Sequence, residues 1–144
     1  MALNDSTDHP NSLIDQACAI PFRTAGAQIE FCLITASSGR WLFPKGFVEP
    51  GETFAEAALK EALEEAGVHG RVIGDPVGRF EIKKNGQPRT VIALLMEVLH
   101  CDAVWEEAAV RQRRWVSRKE ARRLITAPEL LELLDTAHAQ LRVA

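Results

Sequence analysis

Carboxylates are concentrated in one short segment of the chain. Between Glu52 and Glu65 there are five glutamates and one lysine, Lys60, to balance them. If the segment is helical, Glu61, Glu64 and Glu65 share one face, and each close pair of like charges costs about a few tenths of a kcal/mol. A hard divalent cation such as Mg²⁺ prefers oxygen ligands and removes that cost. The spacing therefore predicts a metal site that neutralises phosphoryl oxygens and activates a water molecule.

A helix over about residues 54–66 is predicted to carry these carboxylates. Thr53 and Glu56 have the T-x-x-E spacing of a capping box, and Gly67 stands where a C-terminal glycine belongs. Small and apolar residues fall on one face and charged residues on the other. The alternative to a metal site is a solvated face, in which Glu56 and Lys60 form an i,i+4 pair. That alternative leaves the three later glutamates unbalanced.

The same segment resembles the signature of the Nudix hydrolase family. The matching positions are Gly46, Glu52, Lys60, Glu61, Ala62, Glu64, Glu65, Gly67 and Val68. At about 7% usage for each residue type, the six glycines and glutamates among them would match by chance roughly once in ten million registers. Lys60 stands where the family has an arginine, whose planar fork holds the glutamates, and lysine supplies a point charge instead. Ala62 is smaller than the aliphatic residue of the signature.

The resemblance implies a metal-dependent enzyme that hydrolyses phosphoanhydride bonds, with Mg²⁺ or Mn²⁺ as cofactor. The implied metal ligands are the Gly46 carbonyl, Glu61, Glu64 and Glu65. Glu52 would support this cluster through Lys60, and Glu61 is the candidate proton acceptor. Glu106 and Glu107 could supply a further ligand or base, and the alternative is that both are exposed loop residues.

The stretch "WLFPKGFVEPGE", residues 41–52, resembles the Nudix branch that acts on diadenosine polyphosphates and diphosphoinositol polyphosphates. Such substrates need basic partners for their phosphates. The candidate phosphate-binding residues are Arg23, Arg40, Lys45, Arg89 and Arg113. Their scatter over several loops favours a ring with many phosphates, whereas nucleoside bases need aromatic platforms. The tryptophans Trp41, Trp105 and Trp115 are candidates for that role or for core packing.

Three alternatives to this function stay open. The same signature would serve an RNA 5′ pyrophosphohydrolase or a nucleoside triphosphate pyrophosphohydrolase. A catalytically weak Nudix-fold module that senses a nucleotide or polyphosphate is a second alternative, because Lys60 replaces the arginine. A purely structural acidic helix is the third, and it predicts no specific binding of divalent metal.

The elements that position these residues follow from the patterns along the chain. Strands are predicted at 16–24, 27–37, 71–84, 89–100 and 113–116, with helices at 117–125 and 128–141 after the first helix. Asn85-Gly86 indicates a hairpin, whose loop Gln87 and Pro88 should lengthen beyond the tightest type. This order predicts an α/β fold with a mixed sheet flanked by helices, and the resemblance implies the Nudix α/β/α sandwich.

Length and composition limit the remaining possibilities. The 144 residues predict a flexible tail at 1–15 and a single domain at 16–144. A net charge of -3 gives no reason to expect nucleic acid or an anionic membrane as a partner, so the expected partner is a phosphorylated small molecule. The chain lacks a signal-peptide pattern and an apolar run of membrane-spanning length, which predicts a cytoplasmic protein.

The cysteines and histidines give weaker signals. The three cysteines, Cys18, Cys32 and Cys101, lack a CxxC spacing, which predicts buried thiols in a reducing compartment. The four histidines show no ligand spacing, so no role is assigned to them. A homodimer through the last helix stays open.

Overall fold

The computed structural model describes residues 13–143, which form eight strands and three helices. In chain order they are β1 (Gln16–Ala25), β2 (Gln28–Thr35), β3 (Trp41–Leu42), β4 (Lys45–Phe47), α1 (Phe54–Ala66), β5 (Val68–Val72), β6 (Gly78–Lys84), β7 (Gln87–Cys101), β8 (Arg113–Ser117), α2 (Arg118–Leu124) and α3 (Pro128–Val143).

The strands form one mixed sheet between two helical layers. Its main path runs β3-β2-β1-β7-β5, with β4 paired to β1, β6 to β7 and β8 to β2. The pairing of β1 with β7 is parallel and the other pairings are antiparallel. Side chains alternate along β1, so Cys18 and Ile20 pack towards α2 and α3 while Ala17 and Ala19 pack towards α1. The predicted α/β/α sandwich is confirmed.

Helix α1 has the predicted bounds and both predicted caps. The Thr53 hydroxyl accepts a hydrogen bond from the Glu56 amide, and the Glu56 side chain accepts one from the Thr53 amide. Gly67 ends the helix with φ 68°, a left-handed conformation that glycine adopts without a steric penalty. The buried face of α1 is rich in alanine, which lets the helix lie close to the sheet.

The single strand predicted over residues 71–84 is wrong, because the structure divides this stretch between β5 and β6. Residues 74–76 leave the ladder, since Gly74 has φ 69° and Pro76 has no amide to donate. Both strands pair with β7, which spans 15 residues and is long enough for two partners in succession.

The predicted long hairpin loop is also wrong. Asn85 and Gly86 alone form the turn, with φ 54° and 78°, and Lys84 pairs directly with Gln87. Two successive left-handed residues match the type I′ turn that Asn-Gly favours. In such a hairpin the residue pair next to the turn exchanges two backbone hydrogen bonds, and the pair after it exchanges none. Pro88 occupies that next position, opposite Lys83, so its missing amide costs nothing.

The cysteines match their prediction in part. Cys18 and Cys32 are buried, and Cys101 is half-buried. Burial raises the pKa of Cys18 and Cys32 to about 12, which makes their thiols unreactive at neutral pH. Within the described residues all three thiols are free.

Most of the predicted tail, residues 1–12, lies outside the described residues. Of the rest, Asp15 is hydrogen-bonded into the fold: its amide donates to the Thr90 carbonyl and its carbonyl accepts from the Val48 amide. Over residues 13–143, no helix is both long and apolar enough to cross a membrane.

Candidate active site

Two carboxylates of α1, Glu61 and Glu65, lie together against the sheet. The Glu65 side chain is only 9% exposed, accepts a hydrogen bond from the Lys45 amide at 3.2 Å, and lies 3.5 Å from the Arg111 guanidinium. Burial raises the pKa of Glu65 to about 8, with a further contribution from its contact with Glu61. Burial raises the pKa of Glu61 as well. The fold thus holds two acidic groups in a place that disfavours their charged forms.

Gly46 makes room for this pair. A Cβ atom at Gly46 would overlap the carboxyl group of Glu61. Strand β4 cannot move aside easily, because its residues pair with β1 from Gln16 to Cys18. The glycine of the sequence pattern is therefore explained by close approach, since its backbone has no side chain to separate it from the Glu61 carboxylate.

A second group of carboxylates forms where the loop of residues 102–112, between β7 and β8, meets α1. Oxygen atoms of Glu64, Glu106 and Glu107 lie within 4.8 Å of one another. The backbone holds them there, because the Glu107 amide donates to the Glu64 carbonyl at 3.1 Å. From the sequence alone, Glu106 and Glu107 are only candidates for a further ligand or base. In the fold, both lie beside α1.

The same loop covers the C-terminal end of α1. The Trp105 indole donates to the Glu65 carbonyl at 2.9 Å, and Arg113 donates to the Ala66 carbonyl at 2.8 Å. Trp105 also packs on Gly67, where an added Cβ would lie 2.6 Å from the tryptophan Cβ. The last turn of a helix has carbonyl groups without intrahelical partners, and the loop supplies donors for them.

Arg111 is the site residue that the sequence reasoning missed. Its guanidinium lies 2.6 Å from Glu107 and 3.5 Å from Glu65, and it donates to the Thr35 carbonyl at 2.9 Å. One arginine thus joins the loop, the helix and strand β2. The i,i+4 spacing of Glu107 and Arg111 was the available signal, although it does not reveal the contact with Glu65.

Lys60 makes the contact expected of the residue that replaces the family arginine. Its ammonium group lies 2.9 Å from one Glu52 oxygen, and the other accepts a hydrogen bond from the Glu49 amide at 2.8 Å. The hydrogen bond from Lys60 is the main cause that lowers the pKa of Glu52. Glu52 is thereby fixed as a carboxylate at the start of α1.

Two neighbouring cavities open beside the carboxylates. The polar cavity, of about 320 Å³, is lined by Lys45, Glu65 and Arg111 among others. The apolar cavity, of about 90 Å³, is lined mainly by apolar side chains, including Trp41 and Phe80. Both cavities share Leu42 and Lys45. Burial lowers the pKa of Lys45, a cost that an anionic partner would offset.

None of the other four predicted phosphate-binding residues lines the polar cavity. Arg40 lines the apolar cavity. Arg23 stacks on Trp115 at 4.1 Å and pairs with Glu30, and Arg113 stacks on Trp105 at 4.0 Å while capping α1.

Arg89 lies beside β4 and lines neither cavity. Its guanidinium is 3.7 Å from Asp15 and 5.5 Å from the Phe47 ring, over which the Lys84 ammonium also lies at 5.0 Å. The structure therefore brings Lys45 to the carboxylates directly, and leaves Arg23 and Arg113 in contacts that hold the fold together.

The donor set fits a hard divalent cation. The oxygen ligands available on and around α1 are the carboxylates of Glu61, Glu64, Glu65, Glu106 and Glu107. Carboxylates are the protein ligands that Mg²⁺ and Mn²⁺ prefer. A bound cation would also favour the charged form of Glu65, whose burial otherwise opposes it.

Known proteins resemble the chain over most of its length. A family model described as the NUDIX domain matches residues 14–137. Nudix hydrolase 4 of Arabidopsis thaliana is 39% identical over 97 residues, 65% of this chain and 46% of that protein. The bis(5'-nucleosyl)-tetraphosphatase [asymmetrical] of Sus scrofa is 36% identical over 116 residues, 76% of this chain and 79% of that protein. The chain thus spans about half of the first relative and most of the second.

Solved structures share the fold. The crystal structure of a C. elegans Ap4A hydrolase binary complex has a TM-score of 0.79 and 26% identity, covering 92% of this chain and all of that one. The NUDIX domain of Shewanella oneidensis NrtR, complexed with ADP ribose, has a TM-score of 0.72 at 17% identity and shows the fold alone.

Proposed function

The chain belongs to the Nudix hydrolase family, and from that premise we propose that it cleaves a phosphoanhydride bond of a dinucleoside polyphosphate such as diadenosine tetraphosphate. The observation that carries this proposal is the pair of adjoining cavities, one polar beside the carboxylates and one apolar, which meet at Lys45. The names of the relatives from pig and C. elegans point to the same substrate class.

The chemistry of the two cavities favours a substrate with both a polyphosphate and a base. Phosphates would lie in the polar cavity, where Lys45 and Arg111 are the cationic side chains. A nucleoside base would enter the apolar cavity, where Trp41 and Phe80 offer aromatic surface. A diphosphoinositol polyphosphate has phosphates all round its ring and no apolar part for this second cavity. Because Arg23 and Arg113 are engaged elsewhere, the scatter of basic residues no longer favours that substrate.

Nudix hydrolases generally use divalent metal ions, and we propose Mg²⁺ or Mn²⁺ here. The residues that would hold the ions are the Gly46 carbonyl, Glu61, Glu64 and Glu65, with Glu106 and Glu107 from the loop. Bound there, the ions would neutralise phosphoryl oxygens and make a water molecule more acidic.

The chain's own residues would prepare the reaction. Lys45 binds a phosphate at the junction of the cavities. Glu61, whose pKa is raised by burial, accepts a proton from the attacking water on its carboxylate. Arg111 keeps Glu65 and Glu107 in place through its contacts with both. The pair of Lys60 and Glu52 fixes the segment that leads into α1.

Product analysis tests this function. Diadenosine tetraphosphate incubated with the protein and Mg²⁺ should yield adenosine triphosphate and adenosine monophosphate. Pyrophosphate released from a nucleoside triphosphate or from an RNA 5′ end, at a higher kcat/KM, would contradict the proposal and support the rival pyrophosphohydrolases. Preferred release of orthophosphate from a diphosphoinositol polyphosphate would contradict it as well.

A variant sharpens the test of the apolar cavity. Phe80→Ala should raise KM for diadenosine tetraphosphate about tenfold, because base stacking contributes roughly 1–3 kcal/mol. Leu99→Ala is the control, since Leu99 is exposed and lines neither cavity. An unchanged KM for Phe80→Ala would place the base elsewhere.

The sensor alternative has its own discriminating result. Binding of a polyphosphate without turnover in Mg²⁺ or Mn²⁺ on every substrate would favour it. The contact between Lys60 and Glu52 supports a catalytically active site over a sensor, because the lysine keeps one interaction of the arginine it replaces.

We propose one domain over residues 16–144, a cytoplasmic location and no nucleic-acid partner. Several relatives carry mitochondrial names, among them Nudix hydrolase 16 of Arabidopsis thaliana, so imaging of the tagged protein is the appropriate test of location. Sedimentation measurements would test whether the last helix supports a homodimer.

A further inference from the structure

Two histidines and an aspartate converge on the surface beyond the C-terminal end of α1. The Nε2 atom of His69 lies 2.7 Å from one Asp102 oxygen, and the Nε2 atom of His100 lies 3.0 Å from the other. One ligand atom from each residue lies within 4.8 Å of the other two. Spacing along the chain does not reveal this cluster, because His69 stands 31 residues before His100 and meets it only through the pairing of β5 with β7.

The fold holds the cluster in place before any ligand arrives. His69 and His100 are paired opposite each other in β5 and β7, with ring centres 5.3 Å apart. The Asp102 amide donates to the Gly67 carbonyl at 2.8 Å, and its carbonyl accepts from Arg113 at 2.8 Å. All three side chains therefore start from fixed backbone, which lowers the entropic cost of binding.

The donor atoms suit a particular class of ion. Imidazole nitrogens with one carboxylate favour Zn²⁺ and neighbouring transition metals, whereas Mg²⁺ prefers oxygen ligands alone. The Asp102 carboxylate has one oxygen beside each imidazole, so the three donor groups already converge. Both Nε2 atoms already point at that carboxylate, and a cation between them would replace the protons that now join them.

We propose that His69, His100 and Asp102 form a binding site for a divalent transition-metal ion of the Zn²⁺ type, separate from the carboxylates of the candidate active site. Three protein ligands leave a further coordination position for solvent, because the three side chains are 44%, 68% and 31% exposed. The ion would join the start of β5 to the end of β7.

The position of the site predicts an effect on the stability of the fold. Residue 68 follows the C-terminal cap of α1 directly, and Asp102 begins the loop that carries Glu106 and Glu107. A bound ion would therefore stabilise the segments at both sides of the helix end. Since metal that binds the folded state alone shifts the unfolding equilibrium, Zn²⁺ should raise Tm.

Calorimetric titration with Zn²⁺ tests the site in the presence of excess Mg²⁺, which competes for the glutamates. Wild type should bind one equivalent. His69→Ala and His100→Ala should each weaken binding at least about tenfold, the loss that even outer-shell partners of metal ligands produce. His138→Ala is the matched control, since His138 lies on α3, away from the cluster. Circular dichroism checks that each variant folds.

Two further measurements separate this site from the glutamates. With Co²⁺ in place of Zn²⁺, wild type should show a visible absorption band that His69→Ala and His100→Ala lose and Glu65→Gln keeps. Zn²⁺ should raise Tm in wild type and in Glu65→Gln, and not in the histidine variants. Absence of Zn²⁺ binding to wild type, equal binding by the histidine variants, or loss confined to Glu65→Gln would each overturn the proposal.

Discussion

The two halves of α1 differ in how their charged side chains are compensated. At its start, Glu56 exchanges hydrogen bonds with Thr53, and Lys60 lies 2.9 Å from Glu52 on a partly exposed surface. Near its end, Glu61 and Glu65 are drawn into the protein, and burial raises the pKa of each. The chain thus balances the exposed charges itself and leaves the buried ones in excess.

This difference separates structural from functional acidic residues. Exposed charges in water are stable without a ligand, and their pairs contribute little either way. A buried carboxylate costs free energy unless a cation compensates it, and buried Glu65 beside half-buried Glu61 therefore indicates a functional site. Arg111 cannot serve all of them, because its guanidinium is shared between Glu65 and Glu107.

The largest effect should come from the buried half. Glu65→Gln should lower kcat by about a thousandfold or more, since loss of a proposed metal ligand should remove several kcal/mol of transition-state stabilisation. Glu56→Gln, on the same helix but exposed, should leave kcat unchanged. Steady-state kinetics on diadenosine tetraphosphate measure both. Equal effects of the two substitutions would remove the distinction between the halves.

Removing the cation shared by the loop and the helix should have a smaller effect. Arg111→Ala should lower kcat about tenfold to a hundredfold, as expected for a residue that positions metal ligands. Arg111→Lys should recover part of the loss, because it keeps the charge and lacks the fork. Mg²⁺ titrations of activity should show a weaker apparent affinity in both variants. An unchanged Mg²⁺ dependence would mean that Arg111 does not act through the ligands.

The free energy of unfolding should depend on pH because the Glu65 carboxylate is buried. The pKa of Glu65 rises from 4.5 to about 8 on folding, so the folded state holds the proton more tightly. In metal-free protein this contribution to the free energy of unfolding is present below pH 4.5 and is lost as the pH rises to about 8. Glu65→Gln should remove that slope and raise stability at pH 8 by roughly 1–3 kcal/mol.

Urea denaturation in EDTA at several pH values measures this slope. Added Mg²⁺ should stabilise wild type more than the variant, most of all at high pH, where the carboxylate is charged. A wild-type curve that rises with pH over this window in the absence of metal would contradict the assignment of buried charge to Glu65.

The smallest effect should come from the exposed half. Thr53→Ala removes the capping side chain and should cost about 1 kcal/mol of stability. Because the caps only fix the start of α1, kcat of the folded enzyme should stay within about twofold of wild type. Thr53→Ser should restore stability. A loss of kcat comparable to that of Arg111→Ala would show that the two halves are coupled.

Patterns contained within a single segment explain which features could be predicted from the sequence. The bounds of α1 follow from a capping box and a terminal glycine, both contained in the segment itself, and the structure has them as expected. The face shared by the three glutamates follows from helical periodicity. Gly46 could be recognised as part of the pattern, but its physical reason, contact with Glu61, required the fold.

Pairings between distant segments explain what could not. Arg111 meets Glu65 only because β8 pairs with β2 and returns the loop to α1. His69 meets His100 only because β5 pairs with the far end of β7. The hairpin was misjudged for a subtler reason: whether Pro88 fits a strand depends on which pairs of the ladder carry hydrogen bonds, and the residue types alone do not give that register.

The loop of residues 102–112 has a consequence for how related enzymes can diverge. One of its anchors is purely backbone, from the Glu107 amide to the Glu64 carbonyl, and does not depend on which side chain occupies position 107. Mutation can therefore replace Glu106 or Glu107 while the chain at these positions stays beside the helix. Insertions or deletions in the loop would displace both positions from α1, whereas substitutions at 106 and 107 would alter only the proposed ligands. Substitution without a change of loop length is therefore the way to vary the chemistry of the site while its backbone geometry is kept.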